Sequence, residues 1–193
     1  MARGGSNGYV RRELQPATRK RQAFDEWVFT RFPSVLRAGM RRTFELPLHS
    51  RIRQALVRRN IRLSYAAQNR GDWRIVTAPY GPDSELRNVP IEGGGAAVAV
   101  VKDTYRGREG AVQLLEDWVE PFDRVRFEPQ EYVDVGDGRL LVLSYITGAG
   151  KVSGVEIREK LGQLIVIRDG GIVQQRNWLG SWREALEAVD LRE

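Results

Sequence analysis

Residues 122–179 read FDRVRFEPQEYVDVGDGRLLVLSYITGAGKVSGVEIREKLGQLIVIRDGGIVQQRNWL. After Pro121 the apolar residues alternate with period two, the mark of strands with one covered face. Strands are expected near Val125–Val135, Leu140–Ile146, Val155–Arg168 and Ile172–Leu179. Turns containing Gly136-Asp137-Gly138, Gly148-Ala149-Gly150 and Asp169-Gly170-Gly171 separate them. Such Gly-rich pairs accept the positive φ that tight hairpins demand, so the stretch reads as an antiparallel meander.

Helical periods lie upstream. From Arg106 to Phe122, the residues Ala111, Val112, Leu115, Trp118, Val119 and Phe122 recur near the 3, 4, 7 pattern of an amphipathic helix. Ser50 is suited to cap a helix running to about Asn69, with Ile52, Leu56, Leu63 and Ala67 on one face. Gly71 suits the position just past its end. Asp72 opens a short second helix, and Gly81-Pro82-Asp83 turns the chain into a short strand around Glu85–Asn88. Residues 92–97, rich in Gly and Ala, read as a loop. Ser181-Trp182-Arg183-Glu184 has capping-box spacing and opens a last helix carrying Leu186 and Val189. Helices, a strand, a helix and a meander make an α+β fold, with helices on one face of a curved sheet.

The N-terminal quarter differs. Residues 1–21 hold little to bury and are expected to be a disordered basic tail. Residues 22–49 form a basic amphipathic extension, with Phe24, Trp27, Val28, Phe32, Val35, Leu36, Met40 and Phe44 at helical spacing. Pro33 divides it into two pieces. Residues 50–193 form the folded domain. Residues 1–60 carry 14 basic and 4 acidic residues, whereas the remainder carries 17 and 21, so the net charge of +6 comes from the N-terminal part. A basic amphipathic stretch either packs on its own domain or a partner subunit, or lies on an anionic membrane surface.

Composition excludes several chemistries. The chain has 193 residues, no cysteine and one histidine, His49. Disulfides, thiolate sites, Cys nucleophiles and multi-His metal centres are therefore ruled out. No apolar run spans a membrane, and the first residues show no apolar core after their basic ones. A cytoplasmic protein is expected. Gly93-Gly94-Gly95 and Gly148-Ala149-Gly150-Lys151 lack the setting of a phosphate loop, and no acidic cluster has calcium-loop spacing. No cofactor or metal is expected. Nucleic acid is disfavoured, because the spacing of the aromatics in 24–44 is that of helix packing.

A series of short motifs carries a resemblance. In order they are Asn69-Arg70-Gly71-Asp72, Tyr105-Arg106-Gly107-Arg108-Glu109-Gly110, Phe127-Glu128-Pro129, Ser153-Gly154-Val155-Glu156-Ile157, Arg168-Asp169-Gly170-Gly171-Ile172-Val173 and the helix from Glu184 to Leu191. Together they resemble a SnoaL-like domain of the nuclear-transport-factor-2-like superfamily over roughly residues 51–193. The resemblance implies a cone-shaped barrel of curved, mainly antiparallel sheet covered by helices. It also implies a pocket between sheet and helices, and a homodimer formed through the outer sheet face. Members include ketosteroid isomerases, epoxide hydrolases, polyketide cyclases, scytalone dehydratases and proteins without catalysis, so fold alone does not assign a reaction.

The residues implied by these chemistries are mostly replaced. The isomerase base falls on Asn88 and its second acid on Gln163. Its helical tyrosine falls on Ser64, and Tyr65, turned by about 100°, is a poor substitute. For the hydrolases the Asn falls on Asn88, the Tyr near Leu86, the Arg and its neighbouring Asp on Tyr145 and Thr147, and the other Asp on Asn177. His49 precedes the domain. Glu156, Glu159 and Asp103 remain as carboxylates that could face inward. What emerges is a pocket for a hydrophobic small molecule with no assigned catalysis. Asn88, Tyr145, Gln163 and Asn177 would orient the ligand, and Trp73, Tyr80, Trp118, Phe122 and Trp178 would wall it. The alternative is an enzyme of cyclase, epoxide hydrolase or isomerase type acting on a polyketide- or terpenoid-like substrate.

Overall fold

The computed structural model describes residues 8–14, 31–89 and 101–192. Seven strands form one curved, mixed sheet that does not close. In chain order the elements are β1 (Val10–Glu13), α1 (Pro33–Glu45), α2 (Arg51–Gln68), α3 (Trp73–Val76), β2 (Tyr80–Val89), β3 (Thr104–Arg106), α4 (Gly107–Val119), β4 (Phe122–Gly136), β5 (Arg139–Gly150), β6 (Glu156–Arg168), β7 (Gly171–Leu179) and α5 (Arg183–Glu187). The strand order is β1-β4-β5-β6-β7-β2-β3. Only β2 and β7 run parallel. The α+β class and the meander follow the sequence reading.

Local chemistry explains the elements. Asp137-Gly138 and Asp169-Gly170 sit at positive φ in the two tight hairpins, as a two-residue turn twisted with its strands requires. Register shifts in β4 at Asp123/Arg126, Pro129/Glu131 and Asp134/Gly136 bend that strand around the helices. The concave face carries the main core, in which Leu86, Leu114, Phe127, Tyr132, Val142 and Leu161 are almost fully buried. The other face carries a smaller cluster, Val133, Leu141, Leu143, Leu164 and Trp178, covered by Ala185 and Leu186 of α5.

Three expectations change. Val10–Glu13, expected to be disordered, pair antiparallel with Glu131–Asp134 at the sheet edge. The Arg11 guanidinium grips the Glu131 carboxylate at 2.6 and 2.7 Å. Helix α2 is rotated relative to the expected face. Ile52 is 65% exposed, while Arg53, Gln54, Val57 and Ile61 turn inward. At the C-terminus no side-chain capping bond forms at the start of α5, and Glu184 Oε2 is buried without a partner. The Ser50 cap is present, with its hydroxyl accepting from the Arg53 amide at 3.5 Å. Phe24, Trp27, Val28 and the loop at 92–97 lie outside the described residues.

The inward Arg53 explains how the extension is attached. Its Nε and Nη2 donate to Asp134 at 2.8 Å each, in a fully buried pair. Its Nη1 donates to the carbonyls of Phe44 and Leu46 at 2.9 and 2.8 Å. These are orphan carbonyls at the end of α1. Gln54 completes the cluster, donating to Leu48 O and Asp134 and accepting from the Tyr132 hydroxyl. At the other end, α1 lies against the β6–β7 turn. A Cβ on Gly170 would come within 1.8 Å of the Arg37 carbonyl oxygen.

Candidate functional site

The concave face divides into three zones along β5, β6 and β7. The first, at the hairpin end, is an apolar cavity of about 140 Å³. Leu140 and Val142 of β5, Ile165 and Ile167 of β6, and Ile172 of β7 form its floor. Val57, Ile61, Ser64 and Tyr65 of α2 and Ile75 and Val76 of α3 form its sides. Leu36, Met40 and Phe44 of α1 roof it. The extension is thus a structural part of the pocket. Apolar cavities of roughly 150 Å³ stay dry and admit a single aromatic ring.

The second zone is a belt of neutral polar groups. Adjacent strands place the amides in register: Asn177 on β7 stands opposite Gln163 on β6 and beside Asn88 on β2. Asn177 Oδ1 accepts from Gln163 Nε2 at 3.3 Å and from Gln175 Nε2 at 2.7 Å. Asn177 Nδ2 donates to Asn88 Oδ1 at 3.1 Å, and Asn88 Nδ2 donates to Lys102 O at 2.8 Å. The Tyr65 hydroxyl donates to Gln163 Oε1 at 2.7 Å and lies 3.3 Å from Ser144 Oγ. The Tyr80 hydroxyl donates to Gln175 Oε1. Burial raises the Tyr65 and Tyr80 hydroxyls far above the ordinary phenol range. Both remain neutral donors at physiological pH.

Among the described residues, the belt holds spare donors. Gln163, Gln175 and Asn177 each use one side-chain N–H inside it. A primary amide has two. Among the described residues, no carboxylate joins the belt. The buried carboxylate of Asp134 is held by Arg53 and Gln54. Glu156 and Asp103 are exposed.

The third zone, beyond the belt, is a narrow cleft bordered by Asp117, Trp118, Phe122, Ile146, Ile157, Glu159 and Leu179. Trp118 is 4% exposed, stacks near Phe127 at 6.2 Å, and its indole N–H has no partner. Asp117 accepts from Tyr105 at 2.5 Å and from Gln113 at 2.7 Å. Burial, then the bond to Asp117, pushes the Tyr105 hydroxyl up to about 12.

Of the nine site residues expected, Asn88, Gln163, Asn177 and Tyr80 meet in the belt. Trp118 and Phe122 border the third zone, and Trp73 packs half-buried against the main core. Tyr145 and Trp178 stand on the opposite face of the sheet. Tyr145 lies against Trp182, ring centres 4.8 Å apart, with the Arg158 guanidinium over its face. Trp178 packs with α5. Strand parity explains both, because a neighbour one residue away faces the other side. Sequence reasoning missed Tyr65, Ser144, Gln175 and the α1 roof. The helical rotation of α2 turns Tyr65, not Ser64, to the belt. The alternation Gln163-Ile165-Ile167 and Gln175-Asn177-Leu179 was the available signal for Gln175.

Among the described residues, no cluster of three His, Cys, Asp or Glu side chains is placed to hold a metal ion. No helix there is long and apolar enough to cross a membrane.

An open, curved sheet wrapped on helices is the fold shared with solved nuclear-transport-factor-2-like proteins. The chain belongs to the SnoaL-like domain family, which matches residues 61–175. The match begins within α2, so α1 lies outside it. A nuclear-transport-factor-2-like protein from Burkholderia thailandensis is 20% identical, covers 63% of this chain and 88% of its own, and superposes with a TM-score of 0.53. TerC, crystallised with polyporic acid, is 20% identical over 62% of this chain and 87% of its own, with a TM-score of 0.51. A protein of ketosteroid-isomerase-like fold from Catenulispora acidiphila, in complex with trimethylamine, is 14% identical over 68% and 92%, with a TM-score of 0.51. No curated protein matches the chain.

Proposed function

We propose that this protein binds a small, neutral, hydrophobic molecule in the cavity beneath α1. The carrying observation is an apolar space roofed by α1, with the neutral Tyr65 hydroxyl between it and an amide belt holding spare N–H donors. Apolar walls supply affinity through burial, and a few placed polar groups set orientation. The donor surplus favours a ligand with an acceptor oxygen, such as a carbonyl or ether. TerC with polyporic acid and the Catenulispora protein with trimethylamine are proteins of this fold with a small organic molecule.

The test is native mass spectrometry of the purified full chain, followed by thermal shift with benzene, phenol, benzaldehyde and indole. A binder at 100 times its Kd adds about 2.7 kcal/mol of stability. Ile165→Trp fills the cavity and is expected to abolish both the retained mass and the shift. If no compound stabilises the protein, or if Ile165→Trp responds like the wild type, the cavity is not the binding site.

A second, catalytic reading draws on one observation. Glu159 borders the third zone, as does Trp118, whose indole N–H has no partner. A carboxylate at an apolar cleft is the group a hydrolase or cyclase needs. Turnover of an epoxide or polyketide substrate that Glu159→Gln abolishes would favour this reading. The homodimer implied by the family is tested by light scattering at micromolar concentration.

A further inference from the structure

Helix α2 contains no acidic residue. Its outward face carries Arg51, Ile52, Ala55, Arg58, Arg59 and Arg62, all exposed. At 100° per residue these six fall within roughly 120° of arc, a single stripe. Ile52, the one large apolar side chain among them, is 65% exposed. Helix α1 adds exposed Arg41 and Arg42, with Phe32 at its start and Val35 in its first turn 49% and 48% exposed. Over residues 31–62 the only acidic residue is Glu45, which lies 3.6 Å from Arg41.

From this pattern we infer that the outer faces of α1 and α2 dock on an anionic lipid bilayer. Arginines supply attraction to acidic headgroups, and large apolar side chains among them supply insertion below the headgroups. A face built for a nucleic-acid backbone needs the first and not the second. The placement also gives α1 two sides with two roles. Leu36, Met40 and Phe44 roof the cavity, while Arg42 and Val35 face away from it. A hydrophobic ligand held in the membrane would then meet the roof of its own pocket. That last step rests on the binding reading above, whereas docking itself does not.

The experiment is co-sedimentation of the full chain with phosphatidylcholine vesicles, with and without 30% phosphatidylglycerol. Binding is expected only with the anionic lipid and is expected to disappear in 0.5 M salt. Each basic residue near the surface is worth about 1 kcal/mol, so Arg51→Gln/Arg58→Gln/Arg62→Gln together should weaken binding about 100-fold. Ile52→Ser should weaken it at unchanged charge. Arg126→Gln/Arg176→Gln/Arg183→Gln, equal in net charge but placed elsewhere, should bind as the wild type does. Circular dichroism and Tm show that each variant is folded. Absence of binding to anionic vesicles overturns the inference. So does equal loss in both triple variants, or failure of Ile52→Ser to weaken binding while duplex DNA displaces the protein from vesicles. Vesicle binding by an Ile165→Trp protein would show docking intact even if the ligand reading fails.

Discussion

Replacing Arg53 by methionine keeps the apolar stem and removes all four guanidinium hydrogen bonds of the buried cluster. Asp134 would retain only Gln54 Nε2 at 3.1 Å and the Gly136 amide at 3.2 Å. Stranding one member of a buried ion pair costs about 3–5 kcal/mol. For a domain of this size each kcal/mol moves Tm by about 2–4 °C, so a drop of roughly 6–20 °C is expected. Asp134→Leu strands the other partner, leaving the guanidinium with the carbonyls of Phe44 and Leu46, at a comparable cost of about 3–5 kcal/mol. The double variant holds no uncompensated charge. It should be no less stable than either single variant, giving a coupling energy of at least about 3 kcal/mol. Urea unfolding followed by tryptophan fluorescence measures the cycle. If the two single losses add to within about 0.5 kcal/mol, Arg53 and Asp134 do not act as a pair and the account of how α1 is pinned is wrong.

Tyr65→Phe removes the donor to buried Gln163 Oε1 and should cost about 1–3 kcal/mol in urea unfolding. Gly170→Ala places a methyl 1.8 Å from the Arg37 carbonyl oxygen, so α1 amides should lose hydrogen-exchange protection. Gly71→Ala, at a similar positive φ but with open space around it, should cost only about 1–2 kcal/mol and leave α1 protected. Raised tyrosines set an alkaline limit. Tyr105 is pushed to about 12 and Tyr65 and Tyr80 are raised further, whereas in the unfolded chain each ionises near its ordinary value of about 10. Stability should be unchanged below about pH 9 and fall as pH climbs from 10 through 12, read by urea unfolding across that range. A flat profile to pH 12 would contradict the burial of these hydroxyls.

Much of the architecture was legible because it rests on local signals. Asp137-Gly138 and Asp169-Gly170 need a backbone few other pairs adopt, and the period-two stretches between them leave little freedom. The amides at 88, 163 and 177 were legible because positions in the family pattern coincide with inward positions of adjacent strands. What failed was orientation. Tyr145 and Trp178 were one residue from the concave face, and a slip of one in parity exchanges interior for exterior. Helix α2 misled because Ile52 looks like core and Arg53 like surface. The true reason for the rotation, the carboxylate of Asp134, lies 81 residues away. Val10–Glu13 carries no local mark of a strand, because its partner edge is built only when β4 exists.

That last pairing sets an order of events. Arg11 and Glu131 are 120 residues apart in the chain. At synthesis rates of about 5–20 residues per second, roughly 6–24 s separate the emergence of β1 from that of its partner strand. Closing so long a loop brings no return until β4 is in place, so β1 joins the sheet near the end of folding rather than at its start. Until then the outer edge of β4 presents unpaired backbone groups, the template on which a second chain could add a strand. Four residues near the N-terminus thus cover the Glu131–Asp134 stretch of that edge and leave a strand only four residues long as the new edge.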